Sequence, residues 1–125
     1  ARAERETAGG EQLTLILAFN YSSRSELARA ARLLAERVAA GTLNPAQIDE
    51  RAVAEALYTA PYPDPDLVIR TSGEMRLSNF LLWQSSYAEL YFPEVLWPDF
   101  TEADFDRALE VFAQRSRRFG LVQEN

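Results

Sequence analysis

Short continuous runs of apolar residues, separated by helix-type patterns, restrict the fold of this chain more than any other feature. Residues 13–19 (LTLILAF) and 67–69 (LVI) are too short for helices and do not alternate with polar residues. They therefore suit strands that are buried on both faces. Residues 89–92 (ELYF) predict a third strand. Strands that alternate with helices pair in parallel through crossover connections, so the sequence predicts an α/β fold with a parallel sheet and flanking helices.

Helix starts are indicated by residues that can cap a first turn. Ser23 and Glu26 have the spacing of a capping box, and Thr101 and Asp104 repeat that spacing. The patterns predict helices at residues 2–8, 24–40, 50–57, 79–86 and 102–116.

A parallel sheet of only three strands is smaller than usual. We therefore expect residues 1–125 to be a single domain that is one part of a larger fold.

Composition excludes several kinds of chemistry. The chain has no cysteine and no histidine, which excludes disulfides, Cys/His zinc sites and Ser-His or Cys-His nucleophile pairs. Carboxylates, arginines, hydroxyls and an oxygen-preferring metal such as Mg²⁺ remain. The formal charge of −6 argues against broad nucleic-acid binding. Without an apolar run of about 20 residues or a signal-peptide core, we expect a cytoplasmic protein.

Residues 70–80 (RTSGEMRLSNF) place two arginines, a glycine and several hydroxyl and amide groups between two apolar runs. In α/β sheets, ligands bind beyond the carboxyl ends of the strands. Arg70 ends a predicted buried strand, so it either pairs with a carboxylate such as Glu74 or faces a site. With Arg76, the Ser78 hydroxyl and backbone N–H donors, and with Gly73 allowing close approach, it forms a credible diphosphate cradle.

Other charged and polar residues lie near the same predicted strand ends. Asn20 and Arg24 follow the first apolar run and are further candidates for substrate binding. Glu89 begins an otherwise apolar strand, which indicates an ionic partner or a metal, although one carboxylate is a weak Mg²⁺ signal. The C-terminal Arg118 and Gly120 suit the positively charged, glycine-closed end of a helix.

A long, gapless segment of the sequence resembles a known family. Residues 66–84 (DLVIRTSGEMRLSNFLLWQ), with 87–92 (YAELYF) and 96–100 (LWPDF), closely resemble the C-terminal signature of cis-prenyltransferases. This is the isoprenyl transferase family, which includes undecaprenyl diphosphate synthases. Residues 18–24 (AFNYSSR) are similar to the family's AFNYGGR. The resemblance implies the C-terminal half of a Rossmann-like, three-layer α/β/α fold.

The resemblance implies an activity: condensation of isopentenyl diphosphate onto an allylic prenyl diphosphate, with Mg²⁺ as cofactor, to build a cis-polyprenyl diphosphate. By position, Arg70, Arg76 and Ser78 match the residues that hold isopentenyl diphosphate. Glu89 matches the Mg²⁺-associated glutamate. Arg118 and Gly120 match an Arg-x-Gly element that reaches the diphosphate site of the partner subunit, which implies a homodimer.

Two departures from the family qualify these expectations. Ser22 and Ser23 replace the family's paired glycines, which leaves the conformation of that turn open. The family aspartate that is central to catalysis belongs to an N-terminal half with no counterpart here, so we expect no catalytic residue within these 125 and no activity from them alone. A non-catalytic subunit of a prenyltransferase heteromer is the alternative. Peripheral membrane contact through the lipid product is also expected.

Overall fold

The computed structural model describes residues 2–115. Within that range, its helices and strands are α1 (Arg2–Thr7), α2 (Ser23–Ala39), α3 (Glu50–Glu55), β1 (Leu67–Ile69), β2 (Glu89–Tyr91) and α4 (Glu102–Gln114). Single 3₁₀ turns occupy Pro45–Gln47, Gln84–Tyr87 and Trp97–Asp99. None of the helices in residues 2–115 is long and apolar enough to cross a membrane.

The two strands form a parallel pair in which Leu67 lies opposite Glu89 and Ile69 lies opposite Tyr91. The backbone N–H of Arg70 continues the pairing by donating to the carbonyl of Tyr91 at 2.9 Å. The prediction of a parallel α/β arrangement is therefore confirmed, as are both of these strands. In β1, the middle residue Val68 is buried, and its two neighbours are partly exposed.

The prediction of a buried strand at residues 13–19 is wrong for this structure. Residues 13–18 have no regular secondary structure, and the apolar side chains are open to solvent, with Leu13 83% and Phe19 85% exposed. A strand is stable only when a neighbouring strand satisfies its backbone N–H and C=O groups. No segment of residues 2–115 pairs with this run. Residues 2–115 therefore do not bury the apolar side chains of this run.

Helix α2 begins at Ser23, one residue earlier than predicted. Ser22, with extended backbone, is the N-cap, and its hydroxyl accepts from the N–H of Ser25 at 3.4 Å. The predicted capping box of Ser23 and Glu26 is therefore wrong: both side chains are fully buried and bind groups outside the helix. Neither Ser22 nor Ser23 has positive φ, which resolves the conformation of this turn.

The remaining helix predictions had mixed outcomes. Asp49 caps α3 by accepting from the N–H of Ala52 at 2.8 Å, as predicted. Thr101 and Asp104 form the predicted capping box of α4, and the hydrogen bonds to Thr101 lower the pKa of the Asp104 carboxyl. The helix predicted at 79–86 is wrong, because residues at its start have left-handed backbone that no right-handed helix contains.

The core around α2 is small and partly polar. Helix α2 packs against α3, and the Arg29 guanidinium donates to the carbonyl of Ala56 at 3.1 Å. The buried apolar residues are Ala30, Leu34, Ala52, Leu57, Val68 and Ala108, and the buried polar residues are Ser23, Glu26, Gln84 and Ser85. Polar side chains buried in this way need hydrogen-bond partners. Ser23 is paired with the N–H of Leu82, and Glu26 is paired with Tyr21, Tyr58 and Gln84.

Candidate functional site

Residues 70–80, here called the donor loop, begin at the carboxyl end of β1. The N–H of Ser72 donates to the carbonyl of Val95 at 2.8 Å, and the N–H of Gly73 donates to that of Pro93 at 2.9 Å. Gly73 has φ of 63°, in the left-handed region that glycine enters without strain. The sequence prediction assigned backbone donors to the anion cradle. The N–H groups of Ser72 and Gly73 hold the loop in place instead, and the cradle itself stays a prediction.

The two arginines of the donor loop have different surroundings. Arg70 is half-buried, and its guanidinium has no hydrogen bond or ion pair to any residue of the range 2–115. The Arg76 side chain is 63% exposed and forms an ion pair with Glu74, the pairing expected for that acid. Exposed ion pairs contribute about 0–1 kcal/mol. A more highly charged anion could therefore take the place of Glu74 at little cost.

The second half of the donor loop is conformationally strained. Ser78 and Asn79, and Leu81 just after the loop, have left-handed backbone with φ of 47°, 66° and 45°. Asparagine tolerates this region better than other non-glycine residues, whereas a bulky residue such as leucine is a clear outlier there. Each such residue costs on the order of 1–3 kcal/mol and persists only where surrounding contacts enforce it. The loop must therefore be held from outside.

The N-terminus of α2 supplies those contacts. The carbonyl of Asn79 accepts from the N–H of Ser23 at 3.0 Å, and its Oδ1 accepts from the N–H of Arg24 at 2.8 Å. Its Nδ2 donates to Oγ of Ser22 at 2.7 Å. Oγ of Ser23 accepts from the N–H of Leu82 at 3.0 Å. Asn79 is thus bonded to three consecutive residues at the start of α2.

These contacts bring Arg24, a predicted substrate-binding residue, to the donor loop. Tyr21 also reaches it, because its ring meets that of Phe80 edge-on with centroids 5.7 Å apart. Asn20 lies just before this contact, exposed and left-handed with φ of 52°. Asn79, which fastens the donor loop to α2, was not singled out from the sequence. The signal available was an asparagine after a serine in a turn-rich segment, which fits left-handed backbone.

The buried carboxylate of Glu26 links helix α2 to segments near the donor loop. Oε1 of Glu26 accepts from the N–H of Tyr58 at 2.8 Å, and Oε2 accepts from the Tyr21 hydroxyl and from Nε2 of Gln84 at 3.2 Å. Gln84 Nε2 also donates to the Thr59 hydroxyl at 2.9 Å. Burial and the hydrogen bond to Glu26 raise the pKa of the Tyr21 phenol. One side chain therefore joins α2 to the segments on either side of β1.

Glu89, the predicted Mg²⁺ ligand, lies at the opposite end of the strands from Arg70. It faces Leu67 in the register, three residues before Arg70, or about 10 Å along the strand direction. Its Oε2 accepts from the Arg115 guanidinium at 2.7 Å, so the described residues give Glu89 the ionic partner that the sequence offered as one of two alternatives. Residues 2–115 contain no group of three or more His, Cys, Asp or Glu residues that could hold a metal ion.

Not all predicted site residues can be placed. Arg118 and Gly120 lie outside the described residues. Of the others, Arg70, Arg76 and Ser78 share the donor loop, and Arg24 joins them through Asn79. A parallel strand that ends in an arginine-bearing loop, held against a helix N-terminus, places these side chains at the carboxyl end of the sheet, where α/β proteins bind their ligands.

Comparison with known proteins identifies the family. The prenyltransferase family model described as "Putative undecaprenyl diphosphate synthase" matches residues 1–120. Isoprenyl transferase of Brucella abortus is 57% identical over 97% of this chain, and an undecaprenyl-diphosphate synthase of Xanthomonas axonopodis is 52% identical over 98%. The chain belongs to the cis-prenyltransferase family of isoprenyl transferases and undecaprenyl diphosphate synthases.

A solved structure supports both the fold and the family. Lavandulyl diphosphate synthase of Lavandula x intermedia, in complex with dimethylallyl diphosphate, matches with a TM-score of 0.91 and 42% identity. The match covers 95% of this chain and 51% of that one. The curated relatives show the same proportion, because this chain covers 48% of the Brucella protein. The chain thus spans about half the length of the relatives it matches.

Proposed function

We propose that this chain carries the isopentenyl diphosphate site of a cis-prenyltransferase. The single observation that supports the proposal is Arg70, a half-buried residue that follows β1 and whose side chain forms no hydrogen bond or ion pair within residues 2–115. Arg76 and Ser78 stand in the same loop. Guanidinium groups bind phosphate oxygens through two parallel hydrogen bonds. A diphosphate would therefore satisfy Arg70 and replace Glu74 at Arg76.

The proposed reaction joins isopentenyl diphosphate to an allylic prenyl diphosphate. The bond between C1 and oxygen of the allylic substrate breaks, and its electrons leave with the diphosphate. The isopentenyl double bond attacks C1 to form a carbon–carbon bond, and loss of one proton leaves a new cis double bond. In this scheme Arg70, Arg76 and Ser78 hold the isopentenyl diphosphate and so orient its double bond. Arg24 and Asn20 line the adjacent edge.

Mg²⁺ is part of the proposal, although the described residues do not form a complete site for it. Glu89 is a single carboxylate engaged by Arg115, and Mg²⁺ requires near-octahedral oxygen coordination. Glu89 would supply one ligand when the Arg115 pair opens. Bound Mg²⁺ would neutralise charge on the leaving diphosphate. We expect Glu89→Gln in the full-length protein to raise the Mg²⁺ concentration needed for half-maximal activity, and an unchanged requirement would remove Glu89 from the site.

A homodimer is also proposed. The segment 87–100 exposes large aromatic and aliphatic surface, with Tyr87 72%, Leu96 56% and Trp97 73% exposed, and such residues are enriched at the centres of interfaces. Arg118 and Gly120 are proposed to reach the partner subunit's diphosphate site. We expect a cytoplasmic enzyme that contacts the membrane through its lipid product. Sedimentation of Trp97→Ser as a monomer, with the unchanged protein as a dimer, would support this interface.

The test of the function is Arg76→Ala in the full-length protein. We expect KM for isopentenyl diphosphate to rise by about 30-fold or more, the order of a lost charge-assisted pair, while KM for the allylic substrate changes little. Arg51→Ala is the matched control, because Arg51 is an exposed arginine paired with Glu55 on α3. Unchanged kinetics in Arg76→Ala would favour the non-catalytic subunit.

A further inference from the structure

The strained half of the donor loop has only a few contacts that hold it in place. Within the loop, the N–H of Phe80 donates to the carbonyl of Leu77 at 3.0 Å, a short-range bond that many turn conformations allow. The long-range contacts come from α2, more than fifty residues away in sequence. The left-handed conformations of Ser78 and Asn79 therefore depend on α2.

Asn79 carries most of this long-range attachment. Its amide binds two groups in different directions, Oδ1 towards the Arg24 N–H and Nδ2 towards the Ser22 hydroxyl, at 2.8 and 2.7 Å. A side chain held at both ends cannot rotate without breaking a bond. Asn79 directly follows Ser78 and lies three residues after Arg76. The position of its backbone consequently limits where these two donors can point.

We propose that Asn79 is a positioning residue for the diphosphate site, acting by fastening the donor loop to the N-terminus of α2 through Ser22 and Arg24. This inference rests on the proposed function, since it assigns Asn79 an effect on isopentenyl diphosphate binding by Arg76 and Ser78. Asn79 itself need not touch the substrate. Preorganised donors bind more tightly because less conformational freedom is lost on binding.

Substitution of Asn79 separates the role of its side chain from that of its backbone. Asn79→Gly keeps the left-handed conformation accessible but removes both amide contacts. Asn79→Asp keeps an acceptor for the Arg24 N–H and loses the donor to Ser22. We expect KM for isopentenyl diphosphate in the full-length protein to rise about tenfold for Asn79→Gly, the order of one to two lost hydrogen bonds, and less for Asn79→Asp. KM for the allylic substrate should stay within about twofold.

Ser22→Gly provides an independent variant in case Asn79→Gly does not fold. Glycine is an acceptable N-cap that costs a few tenths of a kcal/mol relative to serine, so the helix should persist while the acceptor for Asn79 Nδ2 is lost. We expect a smaller rise in the same KM, about threefold, the order of a single hydrogen bond. The double variant should resemble Asn79→Gly alone, because both changes remove the same contact.

The outcomes distinguish this inference from the proposed function. If Arg76→Ala raises KM for isopentenyl diphosphate but Asn79→Gly and Ser22→Gly leave it within twofold, the positioning role is overturned and the proposed function stands. If Arg76→Ala has no effect, the proposed function itself fails. Equal kinetics for Asn79→Gly and the unchanged protein would overturn the role of the Asn79 amide, because glycine keeps the left-handed backbone and removes only the side-chain contacts.

Discussion

Removal of the Glu26 carboxylate should strongly destabilise the fold. In Glu26→Ala, the Tyr58 N–H, the Tyr21 hydroxyl and one donor interaction of Gln84 lose their acceptor. A buried group left unpaired costs about 1–3 kcal/mol. Because Gln84 keeps its bond to Thr59, we expect a total loss of about 3–5 kcal/mol. That is a large fraction of the roughly 5–15 kcal/mol that stabilises a typical domain.

Glu26→Gln should cost less, about 1–2 kcal/mol. Its amide oxygen can still accept from the Tyr58 N–H, while its amide nitrogen faces the donor of Gln84. Urea unfolding of the full-length protein, followed by far-ultraviolet circular dichroism, measures the free energy of unfolding. Glu36→Ala is the control, because Glu36 is exposed on the same helix and should change stability by less than about 0.5 kcal/mol.

Either of two results would contradict this role of Glu26. A loss below about 1 kcal/mol in Glu26→Ala would mean that water or rearranged side chains satisfy the abandoned donors. A glutamine variant as unstable as the alanine variant would mean that the charge of Glu26, and not its acceptor atoms, holds the network together.

Three further predictions follow from the described contacts. The folded state raises the pKa of the Tyr21 phenol, so the stabilising contribution of Tyr21 is complete below pH about 10 and is lost as pH rises through the folded pKa. The difference in unfolding free energy between the unchanged protein and Tyr21→Phe should therefore shrink in urea titrations at alkaline pH. A constant difference would contradict this. Arg115→Ala should lower stability by about 1 kcal/mol at most, since its partner Glu89 is only partly buried, and a loss of several kcal/mol in thermal unfolding would contradict it. The 125 residues alone should show no Mg²⁺-dependent incorporation of labelled isopentenyl diphosphate, because Glu89 is the one Mg²⁺ ligand assigned among them. Any clear incorporation would refute the proposal that the active site also needs residues outside these 125.

Local patterns predicted the elements that depend on neighbouring residues. The strands at 67–69 and 89–91 and the caps at Asp49 and Thr101 are present as expected. Each relies on side-chain types within a few positions, where a single sequence is informative. The donor loop could also be recognised, because its concentration of arginine and hydroxyl groups has no use in a buried connection.

Long-range contacts explain where those patterns failed. The capping-box spacing of Ser23 and Glu26 is real, but both side chains bond to residues more than thirty positions away. Residues 13–19 are as apolar as a buried strand, yet no strand of the described range lies beside them. Hydrophobicity describes what a segment could bury, whereas its surroundings decide whether it is buried.

The identity of the donors in the loop, its position after a buried strand and the family of the chain can all be read from the order of residues. The shape of the loop cannot be read in this way. Its left-handed turn exists because Asn79 meets Ser22 and Arg24, residues more than fifty positions earlier. A strained backbone conformation is populated only when distant contacts offset its cost, so the geometry of the candidate site was decided by the tertiary structure.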